Sequence, residues 1–105
     1  MKTSKNYIIE LIRRKVKETD PNAEIILYGS RARGDEKENS DWDILILTNY
    51  PITYKEEQKF RHSLYDIELD TGEVISTFVY FKNDWNSRHR VTPLYQNISK
   101  DGIRI

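Results

Sequence analysis

At 105 residues, with 37% hydrophobic and 32% charged side chains, the chain is sized for one domain around one modest core. Seventeen Lys and Arg balance seventeen Asp and Glu, which argues against a protein that coats nucleic acid. Cysteine is absent, removing disulfides, thiol catalysis and Cys-ligated metal sites together. No apolar run approaches the roughly 20 residues of a membrane helix. Met1 to Asn6 shows no signal-peptide stretch, so a cytoplasmic protein is expected.

Tyr7, Ile8, Leu11, Ile12 and Val16 recur at helical spacing and predict a first helix, capped by Thr3 or Ser4 and stopped at Asp20-Pro21-Asn22. Glu24 to Tyr28 is a short strand, apolar on both faces, ended by Gly29-Ser30. Asp35 to Ser40 reads as an exposed loop, and Asp41 to Thr48 as a second strand. Beyond Pro51 a second helix is expected over about Thr53 to Leu69, with Phe60, Leu64 and Ile67 as its apolar stripe. Asp70-Thr71-Gly72 turns the chain into Val74 to Phe81, the most strand-like stretch. Asn83-Asp84-Trp85 begins a short turn or helix. Thr92-Pro93 opens a last helix reaching Asp101-Gly102, and Ile103 to Ile105 is a small edge strand or frayed tail. The order α, β, β, α, β, α, without repeat or linker, predicts a single α/β domain over residues 1–105.

One segment departs from what folding alone would choose: Gly29-Ser30-Arg31-Ala32-Arg33-Gly34, then a loop, then Ser40-Asp41-Trp42-Asp43 entering a strand. Residues two apart in a strand share a face, about 7 Å apart. Asp41 and Asp43 are therefore expected side by side, amid Trp42, Ile44, Leu45 and Ile46. Two such charges at about 6 Å, with an effective dielectric near 20, repel by roughly 3 kcal/mol. A hard divalent cation turns that repulsion into binding, since Mg²⁺ takes one or two carboxylates and completes its shell with water and phosphate oxygens. Gly29 lets the chain bend and bring backbone N–H groups close to an anion. Ser30 adds a hydroxyl, and Arg31 and Arg33 can add guanidinium groups. Phosphate cradle and metal carboxylates then stand on consecutive strands, the arrangement that metal-assisted phosphoryl transfer requires.

On Gly29 to Asp43 the chain resembles the MNT group, the minimal nucleotidyltransferases of the DNA polymerase β superfamily. Their signature is Gly-Ser-x-Ala-Arg-Gly followed by Ser-Asp-x-Asp. The resemblance implies a nucleotidyltransferase fold, α/β (α+β), with a small mixed sheet and helices packed mainly on one side. It implies an NTP, with ATP the first choice, held at Gly29, Ser30 and Arg33, and Mg²⁺ (or Mn²⁺) on Asp41 and Asp43. An acceptor hydroxyl of a protein or small molecule would attack the α-phosphorus and release pyrophosphate. A helical HEPN-type partner in a toxin–antitoxin pair is implied for some members. The family also supplies a third carboxylate from the strand after the second helix. That position falls near Ser76 here, and serine is a poor magnesium ligand and no base at neutral pH. Glu73, Asp70 and Glu68 are the nearest replacements. Without one, the chain is a slow enzyme, an enzyme completed by its partner, or a catalytically impaired nucleotide- or partner-binding module.

The remaining chemistry-bearing residues read more plainly. His62 and His89 have no second ligand at metal spacing and are expected on the surface, and Arg88 to Arg90 are expected in a solvated loop. Trp42 should point to the sheet face opposite the acids, as core, and Trp85 also reads as core. The seven tyrosines show no pattern that singles one out. A small sheet with little cover predicts a homo- or hetero-oligomer.

Overall fold

The computed structural model describes residues 4–105. Helix α1 spans Lys5–Thr19, and Ser4 caps it by accepting the Tyr7 N–H; Thr3, the other candidate cap, lies outside the described residues. Strand β1 is Glu24–Tyr28, followed directly by a one-turn helix α2, Ser30–Arg33. Strand β2 is Trp42–Thr48; Asp41 precedes it rather than opening it. Helix α3, Tyr54–Thr71, starts at a capping box in which Thr53 and Glu56 satisfy each other's backbone N–H groups. Strand β3, Ile75–Phe81, follows Gly72, which ends α3 in a left-handed conformation. Two further helices, α4 (Lys82–Ser87) and α5 (Pro93–Asp101), precede a two-residue strand β4, Ile103–Arg104.

The sheet runs β3-β2-β1-β4. Strand β1 is antiparallel to β2 and β4, whereas β2 and β3 are parallel, with α3 as their crossover. The sheet is therefore mixed, and the long helices lie on one face, as the signature implies. Ile8, Ile12 and Val16 of α1 and Phe60, Leu64 and Ile67 of α3 bury against Ile25, Leu27, Trp42, Ile44, Ile46 and Val79. Each such aliphatic side chain contributes roughly 1.5–3 kcal/mol through burial. On the opposite face, α4 and α5 set Trp85 and Ile98 against Leu45 and Leu47. That cover explains the continuous apolar run from Ile44 to Leu47: most of β2 is buried from both sides. Toward the start of β2 the second face opens, and there Asp43 and Ser76 are half-buried.

Candidate active site

Sheet register brings three residues into one row. Tyr28 lies opposite Asp43 in the antiparallel β1–β2 pair, and Ser76 lies beside Asp43 in the parallel β2–β3 pair. Residues paired in register share a face, so Tyr28, Asp43 and Ser76 all stand on the face away from α1 and α3. Trp42 points the other way into the core, 1% exposed. Asp41, exposed and just outside the strand, still acts on Asp43. Half-burial pushes the Asp43 carboxyl above the usual aspartate range, the like charge of Asp41 pushes it further, and Arg33 pulls it back.

The same register sets the turn against the acids. Gly29 follows Tyr28 directly, at φ 74° and ψ −158°, a conformation close to glycine-only. A Cβ on Gly29 would collide with the Asp43 carboxylate. The glycine is thus required twice, by its backbone angles and by the acid seated against it. Its carbonyl accepts the Ala32 and Arg33 N–H groups, which starts α2 and leaves the N–H groups of Ser30 and Arg31 without intrahelical acceptors.

The two arginines of the turn part company. Arg33 is exposed at the end of α2, bonded to Asp35 at 3.2 Å and within 3.6 Å of Asp101, and its charge reaches Asp43. Arg31 does not serve the turn as expected from sequence. Its side chain is buried, donates to the Ser40 carbonyl at 2.8 and 3.3 Å, and lies 4.5 Å over the Trp42 ring. Arg31 holds the loop that delivers Asp41 instead of facing a phosphate.

The three replacement carboxylates are also directed elsewhere. Glu73 lies 3.7 Å from Arg31 and accepts the Trp42 indole N–H at 3.2 Å, on the side of the sheet that Trp42 faces. Glu68 accepts the Ile75 N–H at 2.7 Å, and Asp70 is exposed on α3. Among the described residues, no three His, Asp or Glu side chains cluster so as to hold a metal. Asp43, with the charge of Asp41 acting on it and Ser76 beside it in register, offers oxygen atoms next to a turn that a Cβ would block. Such donors suit a hard cation that keeps positions free for phosphate oxygens. A polar cleft of about 690 Å³ between the Lys37–Ser40 loop and Thr71–Val74 includes neither acid in its lining.

Sequence spacing alone does not single out Tyr28. Burial, followed by the charge of Asp43 and the nearness of Tyr80, pushes its phenol up to about 12, so the hydroxyl is protonated at neutral pH with a wide margin. The available signal was its place directly before Gly29, which an antiparallel pairing with the Asp-x-Asp strand sets opposite Asp43. His89, expected on the surface, packs its ring 4.5 Å from Tyr80 and 5.9 Å from Trp85. Trp85 is core, 4% exposed, as its reading predicted.

The nucleotidyltransferase domain pattern matches residues 9–100. A candidate protein adenylyltransferase, MJ0141 of Methanocaldococcus jannaschii, is 42% identical over 82 residues, covering 71% of this chain and 81% of that protein. Among solved structures, a toxin–antitoxin with AMP-PNP superposes with a TM-score of 0.65 at 19% identity, over 90% of this chain and 69% of that one. A mutant of the toxin–antitoxin MntA-HpeT superposes at 0.61 and 19% identity, over 97% and 72%. At these identities the structural likenesses establish the fold.

Proposed function

This chain belongs to the nucleotidyltransferase domain family, and on that premise we propose that it moves AMP from ATP to a hydroxyl of a protein acceptor. The observation that supports this reading is the close approach of the Asp43 carboxylate to Gly29, where a Cβ would collide, which sets the proposed phosphate turn beside one of the two proposed metal carboxylates. Asp41 and Asp43 would hold Mg²⁺ (or Mn²⁺) through carboxylate oxygens. When bound, the cation supplies charge neutralisation for the two acids and the triphosphate. Ser30, through its hydroxyl and N–H, binds phosphate oxygens, and Gly29 lets them approach the backbone. Arg33 counters charge accumulating on the leaving pyrophosphate. Tyr28 presents a protonated hydroxyl to the same row. The acceptor hydroxyl gives up its proton to solvent and its oxygen bonds to the α-phosphorus, as the bond to the β-phosphate oxygen breaks and pyrophosphate leaves. The protein acceptor is proposed because the 42% identical relative bears the name of a protein adenylyltransferase. A helical HEPN-type partner is the first acceptor to test, in keeping with the toxin–antitoxin neighbours of this fold.

Ser76 favours a second reading. It occupies the row where the family resemblance places a third acid, and Glu68 and Glu73 are engaged elsewhere, so neither of these two offers its carboxylate to take the acceptor's proton. A catalytically impaired module that binds nucleotide or partner accounts for that. Labelled ATP, Mg²⁺ and the neighbouring gene's product separate the two. Transfer that disappears in Asp41→Ala/Asp43→Ala supports the enzyme. Nucleotide binding without transfer to any partner rejects it, and the impaired module is then supported if Ser76→Asp creates activity.

A further inference from the structure

We propose that the open edge of β3 is a self-association surface, on which a second copy of this chain adds its own β3 antiparallel about a two-fold axis near Phe78. The two edges of the sheet are unlike. The β4 edge is two residues long and carries Arg104. The β3 edge is seven residues long, Ile-Ser-Thr-Phe-Val-Tyr-Phe, with no charge and no proline. Soluble proteins usually blunt an exposed edge with charge, proline or brevity, because its unpaired N–H and C=O groups recruit another strand. Here only the β4 edge is blunted in this way.

Backbone direction shows which groups are free. The Val74 carbonyl accepts the Trp42 N–H and so points toward β2. The Ile75 N–H points outward, where Glu68 accepts it. Alternation along the strand then turns Ser76, Phe78 and Tyr80 inward and Thr77 and Val79 outward, and among the described residues no strand pairs with that side. Thr77 and Val79 flank Phe78 symmetrically. An antiparallel copy centred on Phe78 sets Thr77 against the copy's Val79 and Val79 against the copy's Thr77. Each free donor meets a free acceptor, closing four backbone hydrogen bonds.

The side chains suit the same axis. Phe78, 38% exposed for so large an apolar ring, would meet its own copy at a non-hydrogen-bonded pair, where side chains come closest. On the other face, Arg61, Leu64, Tyr65, Glu68, Ile75 and Thr77 line a groove of about 170 Å³ along the edge. The pairing brings the copy's Phe81 opposite Ile75 beside that groove. An uncharged strand meets its copy without repulsion, and a two-fold pairing is closed, so assembly stops at one sheet made of two. A strand from another protein would need an equally free and uncharged edge, whereas a second copy supplies one by symmetry.

Sedimentation of the whole chain at micromolar concentrations, with amide exchange read at Thr77 and Val79, tests this. A dimer with both amides protected is expected. Phe78→Lys and Phe78→Glu, at an exposed position, should each remain folded by circular dichroism and each weaken the dimer by more than about tenfold. Mixing the two should restore it through opposite charges across the axis. A wild-type monomer with fast exchange at Thr77 and Val79 overturns the proposal. So does a dimer indifferent to both Phe78 variants, or an edge protected only when an unrelated protein is bound.

Discussion

Substituting Gly29 by alanine separates the strain of a backbone from the displacement of an acid, because Gly34 provides the matched control. Both glycines have positive φ, 74° and 82°. At Gly34 an added Cβ meets nothing within 4 Å, so Gly34→Ala carries only the left-handed strain, roughly 1–2 kcal/mol. At Gly29 the backbone lies in a nearly glycine-only region, worth about 1–3 kcal/mol. The new methyl also pushes into the Asp43 carboxylate. In a chain of this length each kcal/mol lowers the melting temperature by roughly 4–8 °C, so both variants melt earlier. Only Gly29→Ala moves a proposed metal carboxylate. A misplacement of about 1 Å at a reacting centre costs on the order of 10²-fold in rate. Initial rates of AMP transfer, taken at a temperature where both variants are fully folded, should fall about 10²-fold for Gly29→Ala and stay at the wild-type level for Gly34→Ala. The Mg²⁺-induced rise in melting temperature should vanish in the first and persist in the second. A folded Gly29→Ala protein that transfers AMP as fast as Gly34→Ala would refute the shared phosphate–metal site.

Three further variants test the electrostatics. Asp43 binds its proton more tightly folded than unfolded, so its contribution is greatest below the ordinary aspartate pKa of about 4 and is lost as pH rises through the raised value. Without metal, Asp43→Asn should therefore raise the melting temperature by a few degrees at pH 7, for under about 1 kcal/mol, and leave it unchanged near pH 3. Equal gains at both pH values would contradict this. Arg31→Ala leaves the Glu73 carboxylate without its cation and strips the Trp42 ring and Ser40 carbonyl of their partner, costing about 2–4 kcal/mol by denaturant unfolding. Arg33→Ala, on an exposed side chain, should change stability by less than about 0.5 kcal/mol while slowing transfer. A reversed pattern would return Arg31 to the phosphate.

The residues from Gly29 to Asp43 contain, in order and spacing, a glycine turn, a hydroxyl and two acids entering an apolar strand. Such local patterns are legible because turn geometry and face alternation depend on neighbours in the chain. The helix stripe Ile8, Ile12, Val16 and the strand Ile75–Phe81 were legible for the same reason. Pairing between distant segments was not. Only the antiparallel register of β1 with β2 places Tyr28 opposite Asp43 and seats that acid against Gly29. Only burial of Trp42 draws Arg31 and Glu73 beneath the loop, removing one from the phosphate and the other from the metal. Amino-acid spacing thus determined which groups this protein brings to its chemistry. Strand register and side-chain burial, which depend on contacts far apart in the chain, decided which of them meet.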